Sequence, residues 1–177
     1  MESKAKIFGH PIHPILIVFP LGLLATSVIF DFIYLITNDT ELTIAAFYMI
    51  GAGIIGGAIA AIFGVVDWAA IPGGTRAKDV GTLHGVGNAV VLILFAVSWL
   101  MRRDLPEAPQ TTALVLSFLG VAIAVVTGWL GGELVDRLAV GVDPGAHLNS
   151  PNSLSGRSAS ENEIINPNLQ RDQRHSS

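Results

Sequence analysis

Gly9-His10-Pro11-Ile12-His13-Pro14 runs straight into Ile15-Leu16-Ile17-Val18-Phe19-Pro20-Leu21-Gly22-Leu23-Leu24, and this junction decides the fold. Two histidines stand before an apolar run that continues to about Tyr34. Lys4 and Lys6 supply the basic start of a signal peptide, but the run is longer than the apolar core of such a peptide, so it reads as a retained membrane span. Proline at the first helical position loses no hydrogen bond and presets the backbone angle, so His13-Pro14 reads as a helix start. Pro20, inside the span, is expected to bend it.

Working outward, three more apolar segments follow. The four spans are read as Ile15 to Ile36, Thr43 to Val66, Leu83 to Met101 and Thr112 to Leu130. Each is about 19 to 24 residues long, against the roughly 20 that a helix needs to cross the hydrocarbon. Their apolar character goes all the way round, as expected for helices with lipid on one side and neighbours on the other. Four such helices are too many for a soluble chain of 177 residues to cover. The composition agrees, with 51% hydrophobic and 14% charged residues and a mean hydropathy of +0.58. Soluble domains run near a quarter charged.

The fold class is therefore all-α, an integral membrane four-helix bundle over residues 1–142. A polar tail over residues 143–177, rich in Asn, Ser and Pro, is expected to be disordered. The connecting segments carry breakers: Thr37-Asn38-Asp39-Thr40-Glu41, Ile71-Pro72-Gly73-Gly74, and Pro106 to Gln110. Asn38-Asp39-Thr40 also matches a glycosylation acceptor, a motif frequent by chance.

The absence of cysteine excludes disulfides, thiolate metal sites and covalently attached haem. A net charge of -4 with no basic patch excludes nucleic acid as a partner. Lys4, Lys6, Arg76, Lys78 and Arg137 share one side, while Arg102 and Arg103 lie on the other. The excess of basic residues in cytoplasmic loops predicts an inner-membrane protein with both termini in the cytoplasm.

The halves resemble each other. Ala58-Ile59-Ala60 with Gly64 matches Ala122-Ile123-Ala124 with Gly128, and His13 opens the first span much as His84 opens the third. This predicts a parallel two-helix repeat about an axis along the membrane normal. Gly53, Gly57, Gly64, Gly81, Gly85, Gly128 and Gly132 are expected to serve helix packing, since small residues let backbones approach.

An even number of spans separates the starts of spans one and three from the ends of spans two and four. One face therefore collects His10, His13, Asp67, His84 and Glu133, supported by Trp68, Asn88 and Trp129. Ionisable residues at a membrane boundary are functional candidates by default. Three histidines and two carboxylates suit a transition metal. His13 and His84 alone could be the axial ligands of a b-type haem, which the exposure of the boundary makes the less favoured of the two. The same groups could form an ion or proton relay. Histidine, tryptophan and acidic residues could also simply sit in the headgroup layer. No motif marks the chain as an enzyme on its own. A redox partner or a second copy would be the protein partners, with the lipid bilayer as surroundings. Asp31, about 25 Å along the first helix, is read as an interfacial residue of the opposite face.

Taken together, His10-Pro11-Ile12-His13-Pro14, Phe19-Pro20-Leu21-Gly22, Asp31, Gly64-Val65-Val66-Asp67-Trp68, Ile71-Pro72, His84, Asn88 and Gly128-Trp129-Leu130-Gly131-Gly132-Glu133 resemble the bacterial predicted membrane proteins grouped as domain of unknown function 2231. The resemblance covers about residues 8 to 142. It implies a four-span membrane protein without an assigned activity. Some members of the family are joined to a Rieske-type iron-sulfur domain, which hints at redox chemistry; this chain lacks the cysteines for one.

Overall fold

The computed structural model describes residues 1–162. A two-residue strand β1 (Lys6–Ile7) pairs antiparallel with β2 (His10–Pro11). Four long helices follow: α1 (Ile12–Thr37), α2 (Thr40–Ala70), α3 (Arg76–Arg102) and α4 (Thr111–Gly132), the last continuing as one π turn over Glu133–Arg137. All four are long and apolar enough to cross a membrane. Pro14 falls in the first turn of α1, and Pro20 is buried within the helix.

Polar residues between the spans do local work. Asn38 ends α1 in the left-handed conformation, where its N–H donates to the carbonyl of Tyr34. Asp39 then caps α2 by accepting from the Glu41 N–H at 3.0 Å. Thr75 caps α3 in the same way through the Lys78 N–H. Residues from Asp143 to Asn162 form only turns and one short 3-10 turn, Ser153–Ser155; the rest of the tail lies outside the described residues.

Helix α1 packs chiefly on α2 and α3 on α4, with α2 and α3 joining the pairs. Between them Leu24, Val28, Ile50, Val91 and Phe95 form a buried core, flanked by Ile54, Leu92, Trp99 and Phe118. The outer surface of the bundle is unlike that of a soluble one. Val18, Ile36, Ile55, Ile62 and Val125 are exposed on its outside, whereas Ser27, Asp31, Ser98, Arg102, Ser117 and Thr127 are buried within. Lipid favours this distribution, because polar groups there must find partners inside the protein.

The two halves do repeat, in a register set by the buried positions. A shift of 71 residues carries Asp31 onto Arg102. The same shift carries His13 onto His84, and the buried Pro20, Leu24 and Ser27 of α1 onto the buried Val91, Phe95 and Ser98 of α3. In the other helix pair, the shift that carries Ala46 onto Ala113 also carries Gly53 onto Gly120 and Ala60 onto Thr127, all buried. The sequence match of Ala60 with Ala124 is thus about one helical turn short. Small apolar residues matched there by type, not by the face they present.

Candidate functional site

Two polar layers lie near opposite ends of the bundle, and each is made by repeat-related residues of α1 and α3. The first holds the histidines. His13 Nδ1 lies 2.8 Å from the carbonyl oxygen of Ala60 on α2, and His84 Nδ1 lies 2.8 Å from that of Thr127 on α4. A carbonyl can only accept, so each Nδ1 carries the proton and each Nε2 is left as the ring's basic nitrogen in the neutral form. The ring centroids are 6.5 Å apart and the planes stand at 84°.

Glycine makes room for both rings. A Cβ on Gly64 would lie 3.0 Å from the His13 ring, and one on Gly131 would lie 3.2 Å from His84. The surroundings then diverge. Asn88 Nδ2 lies 3.2 Å from His84 Nε2 and 2.9 Å from the His84 carbonyl oxygen, and Thr127 Oγ1 donates to Asn88 Oδ1 at 2.9 Å. The repeat sets Ile17 and Ala60 where His84 has Asn88 and Thr127, so His13 lacks this polar ring of partners.

The remaining members of the sequence-derived cluster are engaged elsewhere. Asp67 accepts from Ser3 Oγ at 2.8 Å and from the backbone N–H groups of Lys4 and Ala5, which ties the N-terminal segment to the end of α2. Glu133 pairs with Arg76. His10 sits in β2 beside Ser153, with Nε2 3.3 Å from its hydroxyl. Trp68 donates from Nε1 to Thr82 and carries Lys78 over its ring at 3.6 Å. Trp129 is 67% exposed. Among the described residues, no three His, Asp or Glu side chains come together as a metal-binding group. The structure therefore brings together His13 and His84, with Asn88 beside the latter, while His10, Asp67 and Glu133 each have other polar partners.

The glycines divide. A Cβ would meet Leu24 at 2.7 Å from Gly53, Leu92 at 2.6 Å from Gly57 and Trp68 at 3.3 Å from Gly81, so these positions serve close packing, as Gly64 does against His13. Among the described residues, a Cβ on Gly85, Gly128 or Gly132 would meet nothing within 4 Å. The expectation that they pack helices within the bundle is corrected: they face outward, and spacing alone could not tell the two faces apart.

The second layer was not foreseen. Asp31, read from the sequence as an interfacial residue, is enclosed by protein: it and Arg102 are both fully buried. Arg102 donates to both carboxylate oxygens of Asp31 at 2.7 Å, to Ser98 Oγ at 3.2 Å and to Ser117 Oγ at 2.7 Å. Ser98 and Ser117 in turn share the carbonyl oxygen of Ala113. Arg102 follows His84 by the same interval that separates Asp31 from His13, and that equality was the signal in the sequence.

No curated protein and no solved structure matches this chain. A family model does match, over residues 9–144, which takes in both polar layers and all four helices. The chain belongs to the predicted membrane protein family DUF2231.

Proposed function

We propose that the protein is a metal-binding membrane module in which one metal atom is held between the Nε2 atoms of His13 and His84. The observation that carries this reading is the paired Nδ1–H donation to backbone carbonyls. Metal-ligating histidines nearly always donate their other ring nitrogen in this way, which fixes the tautomer and the ring orientation. The ring separation supports it. Two imidazoles bound to one atom at about 2.0–2.1 Å have centroids from about 5 Å apart at a tetrahedral metal to about 6.4 Å when they oppose each other, and the 6.5 Å found here is at the upper end of that range. Asp67 and Glu133 drop out of the ligand set because Ser3 and Arg76 already hold them. Asn88 would release His84 Nε2 when the metal binds.

A bis-imidazole site accepts either a free ion such as copper or zinc, or the iron of a b-type haem. Haem would make the protein an electron carrier served by a separate redox partner. A proton path through the bundle finds no support, because the apolar core of Leu24, Ile50, Val91 and Phe95 lies between the two polar layers. For location, we infer the inner membrane with both termini in the cytoplasm. Burial of Arg102 in an ion pair removes it from the opposite face and sharpens the basic bias toward the side of Lys4, Lys6, Arg76 and Lys78.

The test is elemental analysis and an absorption spectrum of gently purified protein, repeated after adding haemin, copper(I) or zinc. A Soret band lost in both His13→Ala and His84→Ala identifies haem; stoichiometric metal lost in both variants identifies a free ion. Protein that carries neither and takes up neither overturns the reading.

A further inference from the structure

The β1–β2 hairpin turns through Phe8 and Gly9, and both residues have positive φ, 49° and 80°. This is the two-residue turn in which Asn-Gly is favoured, because each central residue must adopt a left-handed conformation. Glycine does so freely, but for a bulky residue such as phenylalanine it is an outlier. Strained residues of this kind cluster at functional sites. Here, among the described residues, little covers the side chain. Phe8 is 77% exposed and the adjacent Ile7 48%.

The height of this tip along the bundle is fixed by its neighbours. Asp67 holds Ser3, Lys4 and Ala5 at the end of α2, next to Trp68. β2 runs directly into α1, whose Ile15, Val18 and Phe19 are exposed on the outer face of the span. Tryptophan at a span end marks the headgroup layer. Ser153 closes another side of the turn: its hydroxyl donates to the Phe8 carbonyl at 3.3 Å, and a Cβ on Gly9 would lie 2.8 Å from its own.

We propose that Ile7 and Phe8 form an interfacial anchor, with the Phe8 ring seated in the headgroup–acyl boundary of the bilayer that the helices span. The anchor continues the lipid-facing surface of α1 onto the N-terminal segment and holds that segment over the histidine end of the bundle. Lipid covers the tip because the outer surface of α1 that begins at Ile15 faces lipid and β2 leads directly into it.

The chain has no cysteine, so single spin labels can be introduced without background. Protein reconstituted in phosphatidylcholine–phosphatidylglycerol vesicles would be labelled at Phe8→Cys, at Val18→Cys on the outside of α1, and at Gly73→Cys in the exposed α2–α3 connection. Collision with oxygen, which concentrates in lipid, is compared with collision with a water-soluble nickel chelate. The expected oxygen-to-nickel ratio at Phe8→Cys is several-fold above that at Gly73→Cys and close to that at Val18→Cys. A ratio equal to that at Gly73→Cys places the tip in water and overturns the proposal. A label shielded from both reagents indicates contact with protein, such as a second copy, and overturns it as well. Ile7→Cys supplies the same reading if the Phe8 variant fails to insert.

Discussion

Each polar layer joins equivalent positions of the two repeats, His13 with His84 and Asp31 with Arg102, yet the two layers are finished differently. At the Asp31–Arg102 end every buried polar side-chain atom has a partner and the charged groups are fully enclosed. At the histidine end the rings are only part-buried, each is tied by one nitrogen to a neighbouring helix, and among the described residues only His84 has a second ring partner. The difference separates a closed lock from an open site. A saturated network has no bond left to offer a ligand, whereas an imidazole anchored through Nδ1 keeps Nε2 available once a weak contact is given up.

The comparison breaks most visibly at the lock. Arg102→Leu should leave the Asp31 carboxylate buried without its partner, at a cost of about 3–5 kcal/mol, and abolish recovery of folded protein. The double variant Asp31→Leu with Arg102→Leu should recover much of that loss, because apolar replacement of a whole buried pair is often neutral. Thermal unfolding in mild detergent reads both. If the single and double variants are equally unstable, the serines and not the charge pair hold this end.

A smaller effect is expected at the glycines, where the register of the repeat is tested. Gly57→Leu drives a side chain into Leu92 and should cost about 1–3 kcal/mol, while Gly128→Leu projects from the outer face and should leave the unfolding temperature near that of the parent. Equal losses would mean that Gly128 is covered by protein.

At the open end, substitution should be milder still. His84→Ala removes the ring bonds to Thr127 and Asn88, and His13→Ala only the bond to Ala60. At roughly 0.5–1.5 kcal/mol per hydrogen bond, both variants should fold, with His84→Ala the less stable. A collapse on the scale of Arg102→Leu would make the histidines a second lock.

The smallest effect concerns the tail. Lys6 bonds to Asp143, and this hydrogen bond and ion pair hold the ammonium pKa above its usual value of 10.5. The sign follows from the protonated form being the one that pairs. The contribution is complete below about pH 10.5 and is lost as pH rises through the raised value. Exposed pairs contribute about 0–1 kcal/mol, so proteolytic cleavage near Asp143 should quicken only modestly at high pH or high salt.

Much of the fold was legible because apolar runs of spanning length, broken by Pro, Gly and cap residues, leave few alternatives. The pairing of His13 with His84 was legible for a related reason: both open odd-numbered spans, so topology brings them to one end. Partner choice was not. Nothing local to Asp67 or Glu133 shows that Ser3 and Arg76 will engage them. A helix apolar all round hides which side is inward, which is why Gly128 and Gly57 looked alike and why Asp31 read as a boundary residue. Only the common interval from each histidine to Asp31 and to Arg102 connected the far end with the near one.

That interval also bears on the ancestry of the chain. Two copies of one two-helix unit, arranged like these halves, would set like charges face to face: aspartate against aspartate, or arginine against arginine. Opposite charge at repeat-related positions makes each half the obligate complement of the other, and the symmetry that built the bundle can no longer be run backwards into a homodimer of either half.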